Sequence, residues 1–320
     1  MFFSIVIPVY NRPQEIRELL ESLKHQDYQP FEVIIVEDGS SISCKQAVDF
    51  YREHLNLRYF YQENQGQGFA RNYGMREAIG DYMVLFDSDC IVPPHFLSTL
   101  ARAIKERSLD AHGGPDDAAR DFSIFQKAIN FSMTSLWTTG GIRGKLKDPT
   151  KYQARGYNMG MSKEVFLATN GFIDPNKGED IEISIRIKKM GFCLELVEEA
   201  YVLHKRKNTL GSFFAQSFSF GRNRVNVSRY HPGAVKLVHF LPLLFLLGGL
   251  SWAIFSFLYP PIFYFGAYIF GLWTCCVLFS ATIQNRSLLI GLMAVLTSFG
   301  QLFFYGAGLL YEGVRKQLKG

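Results

Sequence analysis

The apolar run YMVLF ends in Asp87-Ser88-Asp89. Side chains two residues apart on an extended strand leave it on the same side, so both carboxylates of such an end point one way. Two hard oxygen donors held together suit Mg²⁺ or Mn²⁺, and the open coordination positions of that ion can take diphosphate oxygens. Asp87 and Asp89 are therefore metal-ligand candidates, with Asp87 also a substrate contact. A turn that uses Asp and Ser for local hydrogen bonds explains the same residues. Two more acidic pairs stand out, Glu37-Asp38 at the end of VIIVED and Glu179-Asp180 within NKGED.

The elements that must position these acids read as an alternation. SIVIPVY is a continuous apolar run rich in β-branched residues, as expected of a strand buried on both faces. Pro13 then opens a helix, where its missing N–H does no harm. Ile16, Leu19, Leu20 and Leu23 fall on one face of that helix. FEVIIVED is a second buried strand, 44–55 reads as helix and LRYFYQ as a third strand. Helical sequence from Gly68 to Ile79 leads into YMVLFDSD. Such alternation implies a mostly parallel sheet with helices on both faces. Ligands of such sheets bind beyond the carboxyl ends of the strands. Tyr10-Asn11, Glu37-Asp38 and Asp87-Ser88-Asp89 all lie at such ends, so clusters far apart in sequence converge on one crevice. Residues 110–155 show little period and read as an irregular acceptor-side connection. In DIEISIRIKKMG the isoleucines at 181, 183, 185 and 187 alternate like a strand, yet they also form i, i+4 pairs of a helix that Gly191 can stop. FCLELV and AYVLH read as short strands.

Composition divides the chain. Mean hydropathy is near zero overall (+0.03), but residues 1–236 carry the charge of an ordinary α/β domain. From Leu237 to Tyr311 the charged side chains are Arg286 and, when protonated, His239. The boundary expected is thus 1–236 followed by 237–320. Segments 239–258 and 262–281 are each long enough to cross a bilayer. Residues 288–311 are apolar again, with Gly300, Gln301, Gly306 and Gly308 weakening the second half. Three full spans put the basic end (Arg315, Lys316, Lys319) opposite residues 1–236, against the positive-inside tendency. Two spans plus a re-entrant or interfacial segment keep both on one side. Lys205, Arg206, Lys207, Arg222, Arg224, Arg229 and Lys236 crowd the stretch before the apolar tail and read as a cytoplasmic flank, one that can also attract anionic headgroups or a lipid phosphate. Cys44, Cys90, Cys193, Cys275 and Cys276 read as reduced and structural. MFFSIVIPVY has no basic leader and reads as the first strand rather than a signal peptide.

Taken in order, SIVIPVYNR, VIIVEDGSS, NQGQGFARNYG, the DSD and NKGED resemble the inverting GT-A nucleotide-sugar glycosyltransferases of family two, over about residues 1–230. The resemblance implies a GT-A fold, Rossmann-like and mostly parallel, here followed by a C-terminal helical transmembrane region. It implies that Asp38 binds the nucleobase, typically uracil, through a ring N–H. Pro8, Val9, Tyr10 and Asn11 would line the base and ribose pocket, with Glu37 a further substrate-binding candidate. EDGSS also reads as a turn in which Gly39 takes positive φ. Arg71 and Asn72 would face the nucleotide, Arg71 pairing with a phosphate oxygen, although a solvated helix residue fits the same pattern. The general base that takes the acceptor hydroxyl proton would be Asp180, the second residue of the ED pair, with Glu179 a substrate contact beside it. An acidic pair at a helix start also complements the dipole by itself. His204 stands where some relatives have a third metal ligand, and a lone histidine after an apolar strand is equally an ordinary hydrogen-bonded residue.

The expected activity is transfer of a single sugar from a nucleotide-diphosphate sugar, UDP-linked by the Asp38 reading, with Mg²⁺ or Mn²⁺. The expected acceptor is lipid-linked or a polyprenyl phosphate, in cell-envelope glycan assembly. This step follows from location: an enzyme integral to a membrane, its catalytic part cytoplasmic as at a bacterial inner membrane, meets acceptors that live there. No nucleic-acid partner is expected. Processive synthases of this fold carry a QxxRW element, whereas QSFSFGRNR has Gln216 but no Arg-Trp pair. The competing classes are a non-catalytic, membrane-anchored nucleotide-sugar-binding subunit, against which Asp87, Asp89 and Asp180 argue, and a nucleotidyltransferase. The latter is expected to carry a Gly-rich basic phosphate loop near the first strand, which PVYNRPQE is not.

Overall fold

The structure, a computed structural model, describes residues 1–117, 123–139, 148, 150, 152–204 and 209–319. The first elements are β1 (Phe3–Val9), α1 (Pro13–Lys24), β2 (Phe31–Asp38), α2 (Lys45–Tyr51), β3 (Leu57–Gln62), α3 (Gln67–Glu77) and β4 (Tyr82–Phe86). Next come β5 (Cys90–Ile91), α4 (Phe96–Arg107), β6 (Ala111–Gly113), β7 (Asp116–Asp117), α5 (Ile124–Thr134) and α6 (Leu136–Thr139). β8 (Asn158–Ser162), α7 (Lys163–Thr169), α8 (Glu179–Lys189), β9 (Leu194–Leu196) and β10 (Val202–His204) follow. The chain ends in α9 (Leu210–Val227), α10 (Leu241–Ser256), α11 (Pro260–Asn285) and α12 (Leu288–Lys319).

The chain forms two compact units, Met1–Ala119 with Lys147–Lys205, and Arg120–Leu146 with Arg206–Gly320. The first is built on a seven-stranded sheet in the order β3-β2-β1-β4-β8-β6-β9. β3, β2, β1 and β4 are parallel, β8 runs against both β4 and β6, and β9 is parallel to β6. Alternate residues of each strand leave opposite faces, and both faces are covered. Ile5, Ile7, Val33, Ile35 and Val84 pack under α1, α2 and α4. Val6, Ile34, Val36, Met83 and Leu85 pack under α3, α7 and α8. That two-sided burial is why β1, β2 and β4 are continuous apolar runs.

DIEISIRIKKMG is helix α8, with Ile181, Ile183 and Ile187 buried. The irregular reading of 110–155 gives way, in its described residues, to β6, β7, α5 and α6. The sequence of α5 is hard to read because its broad buried face mixes Ala128, Ile129, Phe131 and Met133 with the polar Ser132. It belongs to the second unit, where Ala128 and Phe131 pack with Val277, Ala281, Ile290 and Ala294. Ser132 Oγ meets Thr297 Oγ1 (2.6 Å) and Ser298 Oγ (3.0 Å).

The second unit contains three helices long and apolar enough to cross a membrane, Leu237–Ser256, Pro260–Asn285 and Leu288–Leu318. Helices α9 and α12 lie side by side and run the same way: Phe214 stacks on Phe304, Phe218 approaches Tyr311 and Lys316 Nζ donates to Ser228 Oγ (3.1 Å). Near their shared end the buried Glu312 accepts from Arg222 Nε (3.0 Å) and Arg229 Nη2 (3.2 Å), with Arg315 3.7 Å away. Lys205, Arg206 and Lys207 of the basic flank lie outside the described residues.

Candidate active site

The wall at the end of β1 is shaped by Asn11, which takes φ 53°, a conformation that Asn tolerates better than most residues. Its Oδ1 accepts from Ser41 N (2.8 Å) and Ile42 N (2.9 Å), and its own N–H donates to Ser40 Oγ (2.9 Å). Asn11 thereby draws the loop after β2 across the end of β1. Pro8 and Val9 are buried, whereas Tyr10 is 52% exposed.

Glu37 and Asp38 fix the neighbouring loops. Glu37 accepts from Cys44 N (2.8 Å), Ser43 Oγ (2.7 Å) and Tyr59 Oη. Burial raises its carboxyl, but the hydrogen bonds outweigh burial and hold it below the usual glutamate range. Asp38 Oδ1 accepts from Gln62 Nε2 (2.7 Å) and Gln65 N (3.0 Å), and Oδ2 from Gly66 N (2.7 Å). Gly66 has φ 101°, and a Cβ there would lie 2.3 Å from Asn176 Nδ2. Asn176 accepts from Gly68 N (2.9 Å) and donates to Gln65 O (2.9 Å). The glycine-rich turn NQGQG is thus laced to the loop that introduces α8.

Arg71 sits at the centre, 1% exposed. Its Nη2 donates to Asp87 Oδ1 (2.5 Å) and its Nη1 to Glu179 Oε1 (3.1 Å). The backbone of Gly156 lies against it, since a Cβ there would be 2.6 Å from Nη1. One buried guanidinium therefore joins the acid pair after β4 to the acid pair opening α8, and its charge is compensated by both. Arg12 pairs with Asp89, so each acid of the DSD has its own arginine. Burial and the neighbouring Asp180 push the Glu179 carboxyl above the usual range against the pull of Arg71. Asp180 is half-buried, and its Oδ1 accepts from Ile181 N (2.8 Å). Asn72, expected beside the nucleotide, is buried with its amide on the backbone of Phe172, donating to O and accepting from N at 2.9 Å each. Arg71, expected to meet a phosphate, meets two carboxylates.

A small sheet in the order β5-β10-β7 flanks these acids. Antiparallel pairing sets His204 opposite Cys90, the residue after Asp89. Parallel pairing sets Val202 beside Asp116. The His204 side chain lies outside the described residues. Asp87 and Asp89 supply a donor set of hard oxygens that suits Mg²⁺ or Mn²⁺. Among the described residues no group of three or more His, Cys, Asp or Glu is gathered for a metal.

The family model for glycosyl transferase family 2 matches residues 4–168, which hold β1, β2 and the DSD. The chain belongs to that family. GlyG, a glycosyltransferase of Streptococcus pneumoniae, is 35% identical over 139 residues, 42% of this chain and 46% of GlyG. TarS of Staphylococcus aureus, a poly(ribitol-phosphate) β-N-acetylglucosaminyltransferase, is 37% identical over 114 residues, 34% of this chain and 20% of TarS. The chain thus spans less than half the length of these curated relatives. Among solved structures, the mannosyltransferase PcManGT of Pyrobaculum calidifontis, in complex with GDP-Man and Mn²⁺, has a TM-score of 0.69 at 18% identity over 97% of this chain and 87% of that one. TarS residues 1–349 give a TM-score of 0.52 at 21% identity over 72% of this chain and 65% of that one. These likenesses establish the GT-A fold of the family 2 domain.

The sequence did not single out two residues of the site. Arg12 stands in plain view as the last residue of VYNR. Asn176 precedes the ED pair by only a few residues, but its contacts with the glycine turn need the fold.

Proposed function

We propose that this family 2 member is a membrane-anchored, inverting glycosyltransferase that moves one sugar from a nucleotide-diphosphate sugar to a lipid-linked or polyprenyl-phosphate acceptor in cell-envelope glycan assembly. The observation that carries the reading is the Arg71 bridge, which brings Asp87 and Asp89 together with Glu179 and Asp180. Asp180 is the base: it lies in the first turn of α8 and takes the proton of the acceptor hydroxyl as that oxygen attacks the sugar. Inversion needs no second carboxylate as nucleophile, which leaves Glu179 to hold Arg71 and the loop before α8. Asp87 and Asp89 are the residues that would hold Mg²⁺ or Mn²⁺, and such an ion offsets charge on the departing diphosphate. Asp38, held by Gln62, Gln65 and Gly66, is taken as the nucleobase residue of a UDP-linked donor on the strength of the family resemblance. The solved TarS complex with UDP-GlcNAc and the PcManGT complex with GDP-Man and Mn²⁺ support a nucleotide-sugar donor and a divalent ion.

Membrane attachment is supported by the three long apolar helices. The arginines gathered about Glu312, with Lys316 beside them, support a cytoplasmic interface at the shared end of α9 and α12. Residues 1–236 are proposed as the catalytic part and 237–320 as the membrane region. The test is Asp180→Asn, nearly isosteric. Donor affinity by calorimetry should be unchanged while transfer falls by roughly 10²–10⁴-fold. Near-normal transfer by this variant moves the base to another residue.

A further inference from the structure

Three arginines stand around the acids of the site, and their situations differ. Arg12 is paired with Asp89, and Arg71 with Asp87 and Glu179. Arg155 is placed by bonds on either side of it. The Ala154 N–H donates to Ser184 Oγ (3.0 Å), whose hydroxyl donates to Asp180 O (2.6 Å). The next residue, Gly156, lies against the Arg71 guanidinium. Tyr157 Oη donates to Asp116 Oδ1 (2.9 Å), and Arg155 itself bridges to Asn158 through the backbone. The backbone of Arg155 is therefore held between the first turn of α8 and the arginine that joins both acid pairs.

Among the described residues the Arg155 guanidinium makes no hydrogen bond and no ion pair. Asp180 and, less strongly, Asp116 act on it through space, and the residue is half-buried. A guanidinium without a protein partner keeps its planar fork of donors free, and that fork fits phosphate in particular. Simple charge balance for Asp180 would call for contact, as at Arg71, and there is none.

We propose that Arg155 is a phosphate-binding residue of this site, its guanidinium donating to a phosphate oxygen held beside Asp180. The inference rests on reading the crevice as a glycosyl-transfer site. Two sources share this chemistry, the diphosphate of the donor and the phosphate of the acceptor.

The experiment compares the full chain in detergent with its Arg155→Met and Arg155→Lys variants. One arm measures binding of UDP and GDP with Mn²⁺ by calorimetry. The second measures binding of undecaprenyl phosphate without nucleotide. Loss of one charge-assisted bond should weaken the relevant ligand by roughly tenfold or more in the Met variant, with partial recovery in the Lys variant. Weakening in the first arm assigns the donor diphosphate, and weakening in the second assigns the acceptor phosphate. If both variants melt at the wild-type temperature and bind all three ligands as wild type does, the inference is wrong. If the Met variant loses thermal stability, the Lys variant decides: native melting with unchanged affinities also overturns it. Wild-type protein that binds neither UDP nor GDP contradicts the donor-site reading, while loss of undecaprenyl-phosphate binding in the Met variant would still uphold Arg155.

Discussion

At the residue scale, the acids of the site are already engaged. Asp87 is held by Arg71 and Asp89 by Arg12, so the positions of both carboxylates are set by ion pairs. Asp89→Ala should weaken nucleotide-sugar binding as well as turnover, because the ion would bridge protein and diphosphate. Excess EDTA should abolish transfer by the wild-type protein; undiminished activity in chelator would remove the metal from the account. A second residue sets a pH dependence. His112 is fully buried with Nδ1 3.0 Å from Tyr82 Oη, and burial pushes its imidazole down to about 3. The unfolded histidine titrates near 6.5, so between those values the unfolded chain binds a proton that the native one does not. This contribution is complete above pH 6.5 and is lost as pH falls, at up to about 1.4 kcal/mol per pH unit. His112→Gln should flatten that part of the stability profile in denaturant titrations from pH 7 to 4. An unchanged acid slope contradicts the assignment. The acids were legible because each ends an apolar run or opens a helix. Their arginine partners were not, because Arg71 reaches Glu179 across 108 residues of chain.

At the scale of elements, α3 holds the loop before α8, the helix proposed to carry the base, in place. Asn72 clasps the backbone of Phe172, Asn176 clasps the turn before α3, and Arg71 binds Glu179. Asn72→Ala removes both bonds to Phe172 and leaves its N–H and C=O buried without those partners, which should cost about 1–3 kcal/mol. The altered loop should also lower turnover more than donor affinity. A melting temperature and kcat both equal to wild type would show that the clasp has no such role. The parallel strands β1, β2 and β4 could be read from sequence because burial on two faces makes them long apolar runs. β8 could not. NMGMS has no β-branched residue, and Gly160 is required where a Cβ would lie 2.5 Å from Met83 O and 2.6 Å from His112 Cε1. The isoleucines of α8 fit two periods at once, and only the packing of Ile183 and Ile187 against the sheet decides between them.

At the scale of the molecule, the change of composition at residue 236 and the division by contacts at residue 205 are different boundaries. Charge ends where the apolar segments begin, but α9 is partnered by α12, and α5 enters the same unit from the middle of the chain. Sequence distance hides both associations. The first unit is therefore interrupted in sequence by α5 and α6, which belong with the apolar helices. The proposed function places the acceptor in the membrane. The most direct test places the full chain in vesicles containing undecaprenyl phosphate, adds Mn²⁺ and a panel of UDP- and GDP-sugars, and identifies lipid products by mass spectrometry, with the Asp180→Asn variant alongside. The wild-type chain should form a lipid heavier by one sugar from one of the donors, and the variant should suppress it. Donor binding without any glycosylated lipid, or equal product from the two proteins, would contradict that expectation.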